Sequence, residues 1–227
     1  MSFIVKNTTF PGLLDLLAPH SCRGCGRIGE ALCECCKNNI ISNYINVCPN
    51  CKSPNLIGKC TICNNLPPTF IAGRRNELIG RLIHDLKFYS VHTLAKPLAE
   101  IINTKLPNID GKVIVVPLPT INRHIHERGL DHTLLIAKNL SKLRQNWETK
   151  PQLIRANNTV QIGSSKSQRQ AQAAQAYNLN QRIPIDASAT YILLDDVWTT
   201  GASMRSAIKK LWQAGVEKII LAILALS

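Results

Sequence analysis

Tyr191-Ile192-Leu193-Leu194-Asp195-Asp196-Val197-Trp198-Thr199-Thr200-Gly201-Ala202-Ser203 decides the reading of this chain, because it runs from a buried strand through two carboxylates into a small-residue turn that opens a helix. The apolar run Tyr191 to Leu194 predicts a strand covered on both faces, as in a parallel sheet, and Ala202 to Ala214 carries helical periodicity through Met204, Ile208 and Leu211. The turn then falls at the carboxyl end of the strand. There the backbone N–H groups from Thr199 to Ser203, with the positive end of the helix dipole, suit a phosphate, and the hydroxyls of Thr199, Thr200 and Ser203 are further donors. Gly201 lets the backbone approach. Asp195 and Asp196 would repel a phosphate, so they predict vicinal sugar hydroxyls, Mg²⁺, or both. Together these residues read as a sugar-phosphate site.

A strand ending in two acids also suits a Walker B element, but no G-x-x-x-x-G-K-[ST] sequence exists in the chain. A plain strand-turn-helix with solvated acids is a second alternative, strained by two acids followed by Thr-Thr-Gly-Ala-Ser. The stretch from Leu193 to Ser203 closely resembles the phosphoribosyl pyrophosphate (PRPP) loop of type I phosphoribosyltransferases. That resemblance implies that Asp195 and Asp196 hold the ribose hydroxyls. It also implies that Val197, Trp198, Thr199, Thr200, Gly201, Ala202 and Ser203 form the PRPP loop around the 5′-phosphate, with Mg²⁺ accompanying PRPP.

With 227 residues, 45% apolar content and 18% charge, the chain has enough material for one sizeable core plus a small second unit, and its composition is not that of a disordered protein. Met1 to Leu17 lacks the basic start, apolar run and small-residue cleavage site of a targeting signal. The longest strongly apolar run, Ile219 to Ser227, is far too short to span a bilayer and predicts a last buried strand. A cytoplasmic protein with no membrane partner is the expectation.

All nine cysteines fall between Cys22 and Cys63, and eight of them form four C-x-x-C pairs: Cys22 with Cys25, Cys33 with Cys36, Cys48 with Cys51, and Cys60 with Cys63. The second set repeats the first at offsets of 26, 26, 27 and 27 residues, an internal duplication. Two intervening residues aim both sulfurs of a pair at one tetrahedral ion, and Gly24 and Gly26 relieve the backbone of the first turn. A segment so poor in large apolar residues gains little from burial, whereas structural zinc supplies roughly 10–16 kcal/mol of apparent folding free energy per site. Zinc is therefore predicted as a structural ion, one or two per chain. All-cysteine ligation leaves no open position for a catalytic water. Sequential and interleaved pairing, and a ligand role for Cys35, all remain open, as do free or disulfide-linked thiols.

Leu66-Pro67-Pro68 marks a boundary, which predicts a zinc unit over residues 1–66 and a second domain over 67–227. Beyond it, helical spacing runs from Glu77 to Phe88 and from Leu94 to Leu106, Val113 to Val116 reads as a buried strand, and a helix carries Leu134, Leu135, Leu140 and Leu143. This order suggests a parallel α/β sheet with its working loops at one edge. From Arg155 to Arg182 the chain turns polar and reads as a long loop or a weak helix, with Lys166 and Arg169 available to close over an anionic ligand.

Four CxxC pairs, Leu86-Lys87-Phe88-Tyr89, Val116-Pro117-Leu118-Pro119 with Arg123 and Glu127-Arg128-Gly129, Thr159 and Gln161 with Ser167 and Arg169, and the acidic loop together resemble the ComF (ComFC/GntX) competence-protein family over nearly the whole chain. The resemblance implies a type I phosphoribosyltransferase-like sheet behind an N-terminal double zinc ribbon. It makes Pro117, Leu118, Arg123 and Arg128 the pyrophosphate side of the site. Where relatives commonly read Arg-Gly-Phe-Asn-Gln, this chain has Arg128-Gly129-Leu130-Asp131-His132, so whatever the Phe-Asn-Gln side chains do in relatives is left open for Leu130, Asp131 and His132. Trp198 is bulkier than the usual occupant; covering the ligand, stacking on a base and packing are all open to it.

The formal net charge of +13 is uneven: residues 1–70 hold six Lys/Arg against three Asp/Glu, and residues 71–227 hold 21 against 11. Eight thiolates with two Zn²⁺ make the first part slightly negative, so a nucleic acid would lie on the α/β part, bound electrostatically and with strong salt dependence. With 5% aromatics there are few stacking platforms. The family resemblance implies handling of single-stranded DNA during natural transformation, with a competence helicase or other transformation proteins as possible partners. The alternative is an active phosphoribosyltransferase whose nitrogen acceptor the sequence does not identify.

Overall fold

The computed structural model describes residues 20–43, 45–55, 58–63, 66–120, 131–156 and 176–227. The readings made on Met1 to Leu17, on Arg123, His124, His126, Glu127, Arg128, Gly129 and Leu130, and on Thr159, Gln161, Lys166, Ser167 and Arg169 lie outside these residues.

Five strands form one parallel sheet: β3 (Thr69–Arg74), β4 (Val113–Pro117), β5 (Trp147–Thr149), β8 (Thr190–Trp198) and β9 (Ile219–Leu226), in the order β3-β9-β8-β4-β5. The fold is therefore α/β, as expected from apolar runs with no polar alternation. Side chains alternate between the two faces. Val113, Val115, Ile192 and Leu194 face one buried cluster, completed by α2 (Leu78–Phe88), α3 (Ala95–Asn103) and α4 (His132–Ser141). Ile114, Val116, Tyr191 and Leu193 face the other, covered by α5 (Ala202–Gln213) and by the antiparallel hairpin of β6 (Leu153–Arg155) and β7 (Tyr177–Leu179).

Of the polar stretch from Arg155 to Arg182, read as a loop or weak helix, Arg155 and Tyr177–Leu179 are described as parts of the β6–β7 hairpin, and residues 157–175 lie outside the described residues. Two short strands, β1 (His20–Ser21) and β2 (Ile28–Gly29), frame the first cysteine turn, and α1 (Glu34–Ser42) follows it. Cys22, Ala31, Leu32, Cys33 and Ile40 belong to the same buried cluster as α2 and α3. The second cysteine segment lies along the edge strand: Asn55 Nδ2 donates to the Thr69 carbonyl at 3.0 Å and Thr69 N–H donates to the Gly58 carbonyl at 2.7 Å. Among the described residues no helix is long and apolar enough to cross a membrane.

Candidate functional site

The cysteines gather into two sets, Cys22, Cys25, Cys33 and Cys36, and Cys48, Cys51, Cys60 and Cys63; within each set all sulfurs lie within 4.8 Å of one another. The pairing is sequential rather than interleaved. Sγ separations of 3.6 Å (Cys22–Cys33), 3.7 Å (Cys25–Cys33), 3.5 Å (Cys48–Cys63) and 3.4 Å (Cys51–Cys60) exclude disulfides, whose bond is about 2.0 Å. They approach the edge of about 3.8 Å of a tetrahedron with Zn–S arms of about 2.3 Å. Backbone N–H groups of Gly24 and Cys33 both point at Cys22 Sγ at 3.4 Å, which suits a thiolate. A Cβ on Gly24 would meet Cys36 Sγ at 2.6 Å, so only glycine fits that turn. Both sets can hold zinc with closed coordination. Cys35 is exposed and belongs to neither.

The second candidate site sits where β4 and β8 run side by side. From β4 the chain leaves toward α4 and β5, and from β8 it leaves toward α5 and β9, so the connections diverge and open a crevice at the carboxyl ends of these two strands. That is the position at which parallel sheets bind ligands. A cavity of about 300 Å³ occupies it, and Leu118, Pro119, Thr120, Asp195, Asp196 and Ser203 are among its lining residues.

Strand alternation separates the two acids. Asp196 turns toward α2 and α4, where Lys87 Nζ lies 2.6 Å from its Oδ2 and His132 Nε2 hydrogen-bonds the same oxygen. Burial pushes the Asp196 carboxyl up, but His132 and Lys87 outweigh it and hold the group below the ordinary carboxylate range. Asp195 accepts the Asp196 N–H at 2.8 Å. Burial first, and the neighbouring Asp196 charge second, push the Asp195 carboxyl well above its ordinary range. Asp195 is thus the acid that lacks a cation in direct contact among the described residues, and it gains most from Mg²⁺ or sugar hydroxyls.

Beyond β8, Gly201 stands at the N-cap of α5 with φ of +71° and itself supplies no side-chain cap. Ala202 N–H donates to Thr200 Oγ1 at 3.4 Å, and the N–H groups of Ser203 and Met204, which have no intrahelical partner, are left for a ligand. Thr199 and Thr200 are exposed beside them. Trp198 is 2% exposed and packs beneath this turn, its ring 2.2 Å from where a Gly201 Cβ would stand, so its side chain packs rather than covering a ligand.

Four residues carried no role in the sequence reading. Lys87 appeared only as a motif letter, and His132 only as a departure from the family pattern; both grip Asp196. Asp131, another of the departures, caps α4 by accepting from Leu134 N–H at 3.1 Å. Arg155 lines the cavity, donates to the Pro119 carbonyl at 3.2 Å and lies 5.0 Å over the Tyr177 ring. It brings a cation to the Pro117–Thr120 side, and only pairing of β6 with β7, hidden in a polar stretch, puts it there. Pro117 ends β4, and Leu118 N–H donates to the Leu194 carbonyl at 2.9 Å, tying the two strand ends together.

No family model and no curated protein matches the chain. Among solved structures it is similar to one described as the allosteric regulatory enzyme of purine biosynthesis, at 15% identity and a TM-score of 0.38, over 59% of this chain and 26% of that chain. This chain spans about a quarter of that protein's length.

Proposed function

We propose that the crevice between β4 and β8 binds PRPP and that the protein is a ComF-type factor acting on single-stranded DNA in the cytoplasm during natural transformation. The observation that carries the PRPP reading is the acid pair at the diverging strand ends beside the glycine-led start of α5. In this reading the 5′-phosphate sits on the Thr199–Ser203 turn, Asp195 takes the ribose hydroxyls, and Asp196 fixes Lys87 and His132 at the cavity wall. Arg155, with Arg123 and Arg128, serves the diphosphate. Mg²⁺ fits a site with one carboxyl group lacking a cation partner and a polyphosphate ligand, and it would be held by Asp195, ionised on binding, and ligand oxygens, where it would offset the diphosphate charge. The zinc unit over residues 1–66 serves as scaffold for the domain over 67–227.

Calorimetric titration tests the reading. Wild-type protein should bind PRPP with Mg²⁺, and Asp195→Ala with Asp196→Ala should abolish it; an unchanged titration overturns the assignment. Single-stranded DNA retention should fall steeply with salt, and a strain carrying the double change should transform poorly.

A second reading, transfer of phosphoribosyl to a nitrogen acceptor, draws support from Arg155, since a departing diphosphate needs a fixed cation. The nucleophile's lone pair would form the bond to C1 while the C1–O bond breaks and pyrophosphate leaves with its electron pair. It requires pyrophosphate release with some acceptor; none across nucleobases, ammonia and glutamine removes it.

A further inference from the structure

A second, larger cleft of about 700 Å³ opens on the α2 side of the sheet, and Arg23, Arg75, Arg81, His84, Phe88 and Tyr89 are among its lining residues. It shares Lys87 and Val197 with the walls of the acid-pair cavity, so the two spaces adjoin. α2 buries Ile79, Leu82, Ile83 and Leu86 in the core. Its opposite face therefore presents Arg81, His84 and Phe88, which helical spacing aligns. The ring of His84 lies tilted against Phe88 at 4.7 Å and edge-on to Tyr89 at 5.5 Å, yet 56% of Phe88 and 68% of Tyr89 remain exposed. Water contact of two large rings at one helix end is unfavourable unless something covers them.

The charges around these rings select what that is. Arg23 lies 3.4 Å from Asp85, and Lys87 is engaged with Asp196. Arg75 and Arg81 are exposed, with no ion pair to an acid among the described residues, and Asp85 is the acidic group in the cleft wall. Exposed rings and unneutralised guanidinium groups in the wall of one cleft suit a ligand that combines flat bases with phosphates. We propose that this cleft is the track of a single DNA strand, its phosphates on Arg75 and Arg81 and its bases stacked on Phe88 and Tyr89. The strand would pass the mouth of the acid-pair cavity without entering it. This rests on the DNA reading above and locates it.

The test uses the zinc-loaded full chain, a labelled oligodeoxythymidine read by fluorescence anisotropy, and PRPP calorimetry in parallel. Phe88→Ala with Tyr89→Ala should weaken the oligonucleotide at least about tenfold. Arg75→Ala with Arg81→Ala should reduce the slope of log affinity against log salt by roughly 1–2. PRPP affinity should stay within about twofold in both, since stacking and phosphate losses of about tenfold or more are confined to the cleft. Photo-crosslinking of wild-type protein to an iodouracil-bearing strand, which needs no variant to fold, should mark the peptide containing Phe88 and Tyr89. Unchanged oligonucleotide binding in both variants, crosslinks confined to the cysteine segment, or thymidine monophosphate competing as well as the strand would each overturn the proposal. If wild-type protein binds PRPP but no oligonucleotide, the DNA reading itself falls and takes this track with it; if it binds the strand through these residues but not PRPP, the track stands and the PRPP reading falls.

Discussion

Asp195 and Asp196 share a strand end and have opposite electrostatic surroundings. Lys87 and His132 stabilise the charge of Asp196, while burial and that same charge work against ionisation of Asp195. The two groups are pushed apart in pKa, as paired acids at binding sites commonly are. For Asp195 the folded value lies above the unfolded one. Its neutral form therefore adds stability that is fully present below the ordinary carboxylate range and is lost as pH rises through the raised value. Ligand-free protein should lose thermal stability over that interval, and Asp195→Asn should remove this component of the loss. Ligand binding has the opposite sign: Mg²⁺ and hydroxyl donors favour the ionised carboxylate, so PRPP affinity should climb over the same interval. Calorimetry in buffers of different ionisation enthalpy should register proton release on binding. An affinity that is flat with pH in wild type, or equally steep in Asp195→Asn, contradicts the role given to this carboxyl.

At the scale of elements, the strand-turn-helix from β8 to α5 depends on Gly201. Its φ of +71° disfavours any L side chain, and a Cβ there would drive into the Trp198 ring, itself buried. Gly201→Ala should lower the unfolding free energy by about 1–3 kcal/mol in urea titration and weaken PRPP by displacing the turn's N–H groups. Equal stability and affinity would show that the turn adapts freely. This unit was legible in sequence because each signal is local: an apolar run, two acids, small residues and helical spacing. β4, β9, α2 and α5 were legible for the same reason. Arg155 was not, because its placement depends on β6 pairing with β7 across an intervening polar segment, a long-range contact with little local periodicity. The grip of Lys87 and His132 on Asp196 joins three elements far apart in the chain, and no spacing rule reports that.

Across the whole molecule, the cysteine segments are bound into the α/β core on two sides. Cys22 and Cys33 lie in the same buried cluster as α2 and α3, Lys37 of α1 reaches Glu100 of α3 at 2.6 Å, and Lys105 donates to the Ile41 carbonyl at 2.6 Å. On the other side the Gly58 turn sits against the Phe70 ring, and Ile45, Val47 and Leu66 pack on the opposite core cluster. The ions should therefore stabilise the sheet and not merely their own loops. Structural zinc contributes roughly 10–16 kcal/mol per site, comparable with the total stability of a domain, about 5–15 kcal/mol. Loss of even about 5 kcal/mol should lower the melting temperature by about 10–20 °C in a chain of this size. Chelation, or Cys25→Ser for the first set and Cys51→Ser for the second, should accordingly lower one cooperative transition followed by circular dichroism. The first change should act more strongly on PRPP, because α2, which carries Lys87 to Asp196, packs directly on that cluster. If chelation instead released the metal as a separate early step and left the main transition and PRPP affinity unchanged, the cysteine segments would be independent appendages, and the coupling argued from their shared core would be wrong.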